Sequence, residues 1–210
     1  MMLTNVLLPY DTEKFGFYGL VRDHLGFEPS KLHEHYSFDR LRRGTEQHTE
    51  AHKRLYAIDD SFRVLYRQFV GEVIRPFLGE SIVFQAIPNF RVQLPDNVSV
   101  RGFHRDRDDA HPVTEINFWV PLTPVEESNA VWMETAEGAE DYRPLLAQPG
   151  QVLVFDGANL SHGNQVSSAD LTRVSFDFRV ILKRLFVPSE DRSMYKGIKF
   201  DVGEYYEELS

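Results

Sequence analysis

Residues 101–112 read RGFHRDRDDAHP, and the fold hinges on how His104, Arg105 and Asp106 sit within that stretch. In an extended strand successive side chains alternate faces, so residues two apart point the same way. An imidazole and a carboxylate then stand side by side, with Arg105 turned away. One histidine and one carboxylate are two-thirds of the facial triad that holds non-haem Fe(II) and leaves positions open for other ligands. A surface pair in a charged turn is the competing reading, because Arg107, Asp108 and Asp109 follow directly.

Further along, ANLSHGNQ (158–165) offers His162 as the third ligand, with Gly163 behind it where the backbone passes close to a site. Eleven residues on, TRVSFDFRV (172–180) carries Arg173, Ser175 and Arg179 on one face of a strand. A guanidinium fork suits two-pronged binding of a carboxylate; the competing reading pairs either arginine with Asp177 or Glu115. His111 and Asp108 are rival ligands, ranked lower because Pro112 marks the turn out of the strand.

The order His104-x-Asp106, His162, Arg173-x-Ser175 resembles the Fe(II)/2-oxoglutarate-dependent oxygenases. EINFWVPLT (115–123) and PGQVLVFDG (149–157) fit the same pattern, which covers about half the chain, from Ile82 to Leu182. The details, including the ending GIKFDVGEYYE (197–207), are most similar to the small streptomycin-biosynthesis-type oxygenases. The resemblance implies a double-stranded β-helix, a jelly-roll fold. It also implies Fe(II) on His104, Asp106 and His162, 2-oxoglutarate as cosubstrate with Arg173 and Ser175 on its far carboxylate, and O2. Arg179 is the alternative anchor. Related halogenases have a small residue at the carboxylate position, so Asp106 points to hydroxylation, desaturation or cyclisation.

Asn117 and Trp119 share a face of TEINFWVPL (114–122), and a polar residue in so apolar a strand marks a pocket wall. Asn117 is expected to bond the cosubstrate or metal-bound groups. Arg91 and Gln93 on NFRVQL (89–94) are candidate substrate or cosubstrate contacts, as are Trp119 and Gln85.

The 210 residues suit one domain with helical support over 1–80, a jelly-roll core over 81–187 and a tail over 188–210. Phe15, Tyr18, Val21 and Leu25 recur at helical spacing, predicting a helix capped at Asp11 or Thr12 and stopped by Gly26. A second is predicted from Ser61 to Leu78, with Phe62, Leu65, Tyr66, Phe69 and Val73 as its buried stripe and Gly79 as its stop. Residues 27–57 lack periodicity and hold His33, His35, His48 and His52. They read as a solvated loop with a short helix, or as a lid over the site. From Ser81, seven runs rich in β-branched and aromatic residues, VSVRGFH (98–104) among them, alternate with turn residues, as in a mainly β sandwich or barrel. Tyr195, Phe200, Tyr205 and Tyr206 make the acidic tail aromatic, expected to pack over the barrel.

No Cys is present, which excludes thiolate metal sites and a cysteine nucleophile and fits a cytoplasmic protein. A formal charge of −9 argues against nucleic acid as partner, and mildly favours cationic substrates. No apolar run is long enough for a membrane span. The expected partner is a small molecule; monomer and homodimer both stay open. Two other readings remain: a cupin-like metalloenzyme that does not use 2-oxoglutarate, and a non-catalytic jelly-roll module binding calcium or sugar.

Overall fold

The ten-residue strand β9 (Arg173–Leu182) is buried along almost its whole length, and its two faces differ in kind. Val174, Phe176, Phe178 and Val180 face one way and enter the main hydrophobic core. Arg173, Ser175, Asp177 and Arg179 face the other. In a half-polar strand of period two, burial on both sides requires a helical layer against one face and an enclosed polar site against the other.

The computed structural model describes residues 5–37, 49–99, 102–193 and 197–209. Among them a seven-stranded antiparallel sheet is ordered β1 (Val6–Pro9), β7 (Gln151–Phe155), β4 (Ile116–Pro121), β9, β2 (Ile82–Gln85), β10 (Tyr206–Glu208). A further strand, β3 (Asn89–Gln93), also pairs with β9. The second sheet is β6 (Arg143–Leu145), β5 (Val131–Met133) and β8 (His162–Gly163). Trp119, Val131, Met133, Leu153, Phe155 and Leu160 fill a smaller core that joins residues of both sheets. The architecture is mainly β with flanking helices, a jelly roll.

The helices cover the outer face of the large sheet. Phe17 of the helix Phe17–Leu25 and Phe62, Tyr66 and Phe69 of the helix Asp60–Phe69 stack edge-on around Phe176 and Phe178. Deleting one such ring costs about 3–5 kcal/mol in a core that cannot collapse. The first helix begins later than predicted: Asp11 caps the amides of Glu13 and Lys14 in a turn, and helix starts only beyond Gly16. The predicted 61–78 helix runs from Asp60 to Leu78, but a π-helical turn at Val70–Ile74 interrupts it before the short helix Arg75–Leu78. Gly26 and Gly79 end their helices in left-handed conformation.

Of the segment read as loop or lid, Leu32–His35 and Glu50–Tyr56 are helical. Residues 38–48, which include His48, lie outside the described residues. His33 is tied to Thr172, next to Arg173, through both its backbone N–H and its ring (3.1 and 2.9 Å). In the tail, Tyr195 likewise lies outside the described residues, and β10 adds to the edge of β2.

Candidate metal centre

The expected strand through His104 and Asp106 is not regular. Among the described residues only His104 pairs, in a single bridge to His162. Their backbones exchange two hydrogen bonds, His104 N–H to His162 at 3.0 Å and His162 N–H to His104 at 2.9 Å. Directly opposed residues point to the same side, so the two imidazoles lie together with ring centres 4.8 Å apart. Asp106 then opens a 3₁₀ turn, its N–H held by the carbonyl of Gly157 at 2.9 Å. The ligand atoms of His104, Asp106 and His162 all lie within 4.8 Å of one another, and no other such cluster occurs among the described residues.

Asp106 is buried and committed on one oxygen. Its Oδ2 accepts from Asn117 Nδ2 (2.7 Å) and from Arg179 Nη2 and Nε (3.0 and 3.2 Å). Its Oδ1 stands 3.8 Å from Nε2 of both histidines. Burial by itself would raise the carboxyl, but the Arg179 guanidinium beside it holds it well below the usual range. Burial pushes His104 down to about 4, helped by His162 nearby, and lowers His162 as well. Both imidazoles are therefore neutral at neutral pH, as metal ligation requires.

Behind Asp106 runs a buried chain of charges. Arg179 Nη1 donates to Asp177 Oδ2 at 2.6 Å, and Arg91 Nε donates to Asp177 Oδ1 at 2.5 Å. The charges alternate, so each buried ion has an opposite neighbour. Arg179 is thereby occupied on all three nitrogens.

Arg173 differs. It is fully buried, and among the described residues it has no carboxylate within ion-pair distance. Its Nη2 donates to Gln93 Oε1 (2.9 Å) and Ser99 Oγ (2.6 Å), its Nη1 to Ser175 Oγ (3.2 Å), and its Nε has no partner. The Trp119 ring lies 5.3 Å from the guanidinium, and its Nε1 donates to Ser175 Oγ at 2.9 Å. Burial lowers Arg173 to about 9.

Arg91, Trp119, Asn117, Arg173 and Arg179 line one cavity with His104 and His162. Gln93 is placed behind Arg173, its amide donating to the carbonyls of Asn97 and Gln165. Gln85 caps the carbonyl of Ile87, outside this cavity. The rival His111 is held by Glu115 at 2.9 Å and packs on Phe200 and Tyr205; Asp108 pairs with Arg105 at the surface. Tyr206 OH also donates to Glu115, the residue before β4, which ties the tail to that strand.

These residues fit an octahedral ion of the Fe(II) class. Two neutral imidazoles and one carboxylate oxygen would supply three of its ligands and leave positions for others. They also fit a dianionic chelating acid, since Arg173 offers an unpartnered N–H and lacks a counter-charge. Ser99, Asp177 and Gly157 escaped the sequence reading as site residues. Asp177 had a signal, a charge of the same parity as Arg173 and Arg179. Gly157 had none: a Cβ there would meet Asn117 Nδ2 and Phe155 at 2.8 Å.

No protein-family profile matches the chain. The streptomycin biosynthesis protein StrG of Streptomyces griseus is 37% identical over 201 residues, covering 95% of this chain and 96% of that one. Among solved structures, SnoN, a non-haem α-ketoglutarate-dependent epimerase of nogalamycin biosynthesis, superposes with a TM-score of 0.54 at 15% identity, covering 98% of this chain and 93% of its own. CytC3, solved with Fe(II) and α-ketoglutarate, gives 0.51 at 11% identity over 85% of this chain and 73% of its own. Both likenesses show a shared fold.

Proposed function

Because the chain belongs to the family of the streptomycin biosynthesis protein StrG, we propose that it is an Fe(II)- and 2-oxoglutarate-dependent oxygenase of a biosynthetic pathway. Its substrate is a small polar metabolite of amino acid, amino sugar or aminocyclitol type, and its reaction is hydroxylation. When bound, Fe(II) with 2-oxoglutarate and O2 supplies the oxidant for a substrate C–H bond, with release of succinate and CO2.

His104, His162 and Asp106 Oδ1 would hold the metal. Arg179 and Asn117 fix the carboxylate so that one oxygen is presented and the opposite face stays open. Arg173 and Ser175 would take the far carboxylate of 2-oxoglutarate, with Gln93, Ser99 and Trp119 holding the guanidinium in place. Binding there gives a buried cation the counter-charge it lacks.

The observation that carries this reading is the uncompensated Arg173 in the same cavity as the two histidines of the triad. A cupin-type enzyme that does without 2-oxoglutarate has no need of it. Arg179, the other possible anchor, already has two carboxylate partners, Asp106 and Asp177, which engage each of its nitrogens.

The test is an anaerobic titration of the apo-protein with Fe(II) and then 2-oxoglutarate, watching for the weak visible charge-transfer band of the chelate. The band should appear in the native protein, vanish in His162→Ala and demand far more 2-oxoglutarate in Arg173→Ala. Metal uptake without the band would transfer the protein to the cupin-type reading.

A further inference from the structure

We propose that Arg91 anchors an anionic group, a carboxylate or a phosphate, on the prime substrate. The proposal rests on the oxygenase reading and narrows its substrate class.

Arg91 lies on β3 directly opposite Ser175, between the Gln93–Arg173 and Asn89–Asp177 pairs. Its side chain therefore stands on the cavity face of the sheet, and it lines the cavity with His104 and His162. One edge of the guanidinium is fixed: Nε donates to Asp177 Oδ1. Its two terminal nitrogens make no hydrogen bond to any described residue, and the side chain keeps 15% of its exposure. A fork fixed at Nε, with neither amino group bonded to a described residue, is a preorganised receptor for two oxygens of one anion.

Charge balance points the same way. Three guanidinium groups, Arg91, Arg173 and Arg179, share this buried region with two carboxylates, Asp106 and Asp177. A divalent metal and a dianionic cosubstrate cancel each other, so one positive charge remains after both have bound. Each nitrogen of Arg179 already bonds Asp106 or Asp177 and Arg173 faces the cosubstrate, which leaves Arg91 to meet the substrate. Burial weakens screening, so this local excess outweighs the chain's overall −9 charge, which lies largely on the solvated surface. An ammonium or guanidinium group placed here would meet uncompensated positive charge. A substrate carrying both kinds of group should turn its anionic end to Arg91.

The test uses the full protein loaded anaerobically with Fe(II) and 2-oxoglutarate, titrated with inorganic phosphate, acetate or ethylammonium. Calorimetry gives the affinities, and the chelate band reports whether the cosubstrate stays bound. At least one anion should bind without displacing 2-oxoglutarate, and ethylammonium should not. Arg91→Gln should weaken that anion at least tenfold and leave 2-oxoglutarate affinity within twofold. Arg91→Lys, which keeps the charge, should fall between. The tighter of the two anions tells phosphate from carboxylate. Equal anion affinity in native protein and Arg91→Gln, or no anion binding at all, would overturn the proposal. So would a tenfold loss of 2-oxoglutarate affinity in Arg91→Gln, which would assign Arg91 to the cosubstrate. Loss of the band in the native protein itself would overturn the oxygenase reading instead, and this subsite with it.

Discussion

Arg179 grips a single oxygen of Asp106. Two of its nitrogens converge on Oδ2 at 3.0 and 3.2 Å, and the other oxygen faces both histidines at 3.8 Å. The carboxylate cannot rotate to offer both oxygens without breaking the Arg179 and Asn117 bonds. Asp106 is thus set to offer one oxygen to the two histidines, as the proposed metal site requires.

Arg179→Gln should therefore damage both stability and metal binding. Removing one partner from a buried ion pair costs about 3–5 kcal/mol, and loss of a residue that orients a metal ligand lowers metal affinity roughly 10–100-fold. Urea unfolding and a competitive metal titration measure the two. A variant with native metal affinity would show that Asp106 orients itself.

Arg173→Gln should behave in the opposite way. Metal affinity should stay within about twofold of native, while 2-oxoglutarate no longer stabilises the protein. In the native protein a cosubstrate at 100 times its dissociation constant adds about 2.7 kcal/mol, readable as a rise in the unfolding midpoint. A full shift in the variant would place the anchor elsewhere.

Gly157→Ala tests the packing around Asn117. The added methyl would sit 2.8 Å from Asn117 Nδ2, which must move off Asp106 or push Phe155 aside. Overpacking of this kind costs about 1–3 kcal/mol, and metal affinity should fall with it. In a double-mutant cycle with Asn117→Ala the penalties should be less than additive. Simple additivity would mean that the two residues do not share the strain.

Tyr206→Phe removes the hydroxyl that bonds the buried Glu115. Leaving a buried acceptor without its donor costs about 1–3 kcal/mol, so urea unfolding should show a loss of that size. Hydrogen exchange in the Ile82–Gln85 strand should quicken, because β10 protects that edge. Unchanged exchange there would detach the tail from the stability of the sheet.

Asp177 sets a dependence on acid. Burial would raise its carboxyl, yet Arg91 and then Arg179 hold it below the ordinary value. A carboxyl lower in the folded state contributes stability that is present above its unfolded value of about 3.9 and lost as pH falls through the folded one. Stability measured by urea should drop below about pH 4. Asp177→Asn should be less stable at pH 7 and flatter through the acid range; a parallel acid limb would shift the cause to other carboxylates.

The chain order of His104, Asp106, His162 and Arg173 is a sequence property, and so is the alternation that puts Arg173, Ser175 and Arg179 on one face of a strand. Side-chain parity and turn residues are local, so the β-rich half and the two longer helical stretches could be read directly. The turn at Asp11–Gly16, the π-helical turn and the irregular backbone at Asp106 could not. Two of these have a tertiary partner on hand: the packing of Phe15 and Phe17 in the core, and the carbonyl of Gly157 that holds the Asp106 N–H. Local periodicity carries no term for these.

Parity likewise left Arg173 and Arg179 equivalent. What separates them is which carboxylates meet them across the barrel. Asp106 arrives from another part of the chain and, with Asp177, neutralises Arg179, while Arg173 meets only neutral partners. Electrostatic pairing is a through-space property, so only the folded chain could decide which guanidinium is left without a counter-charge.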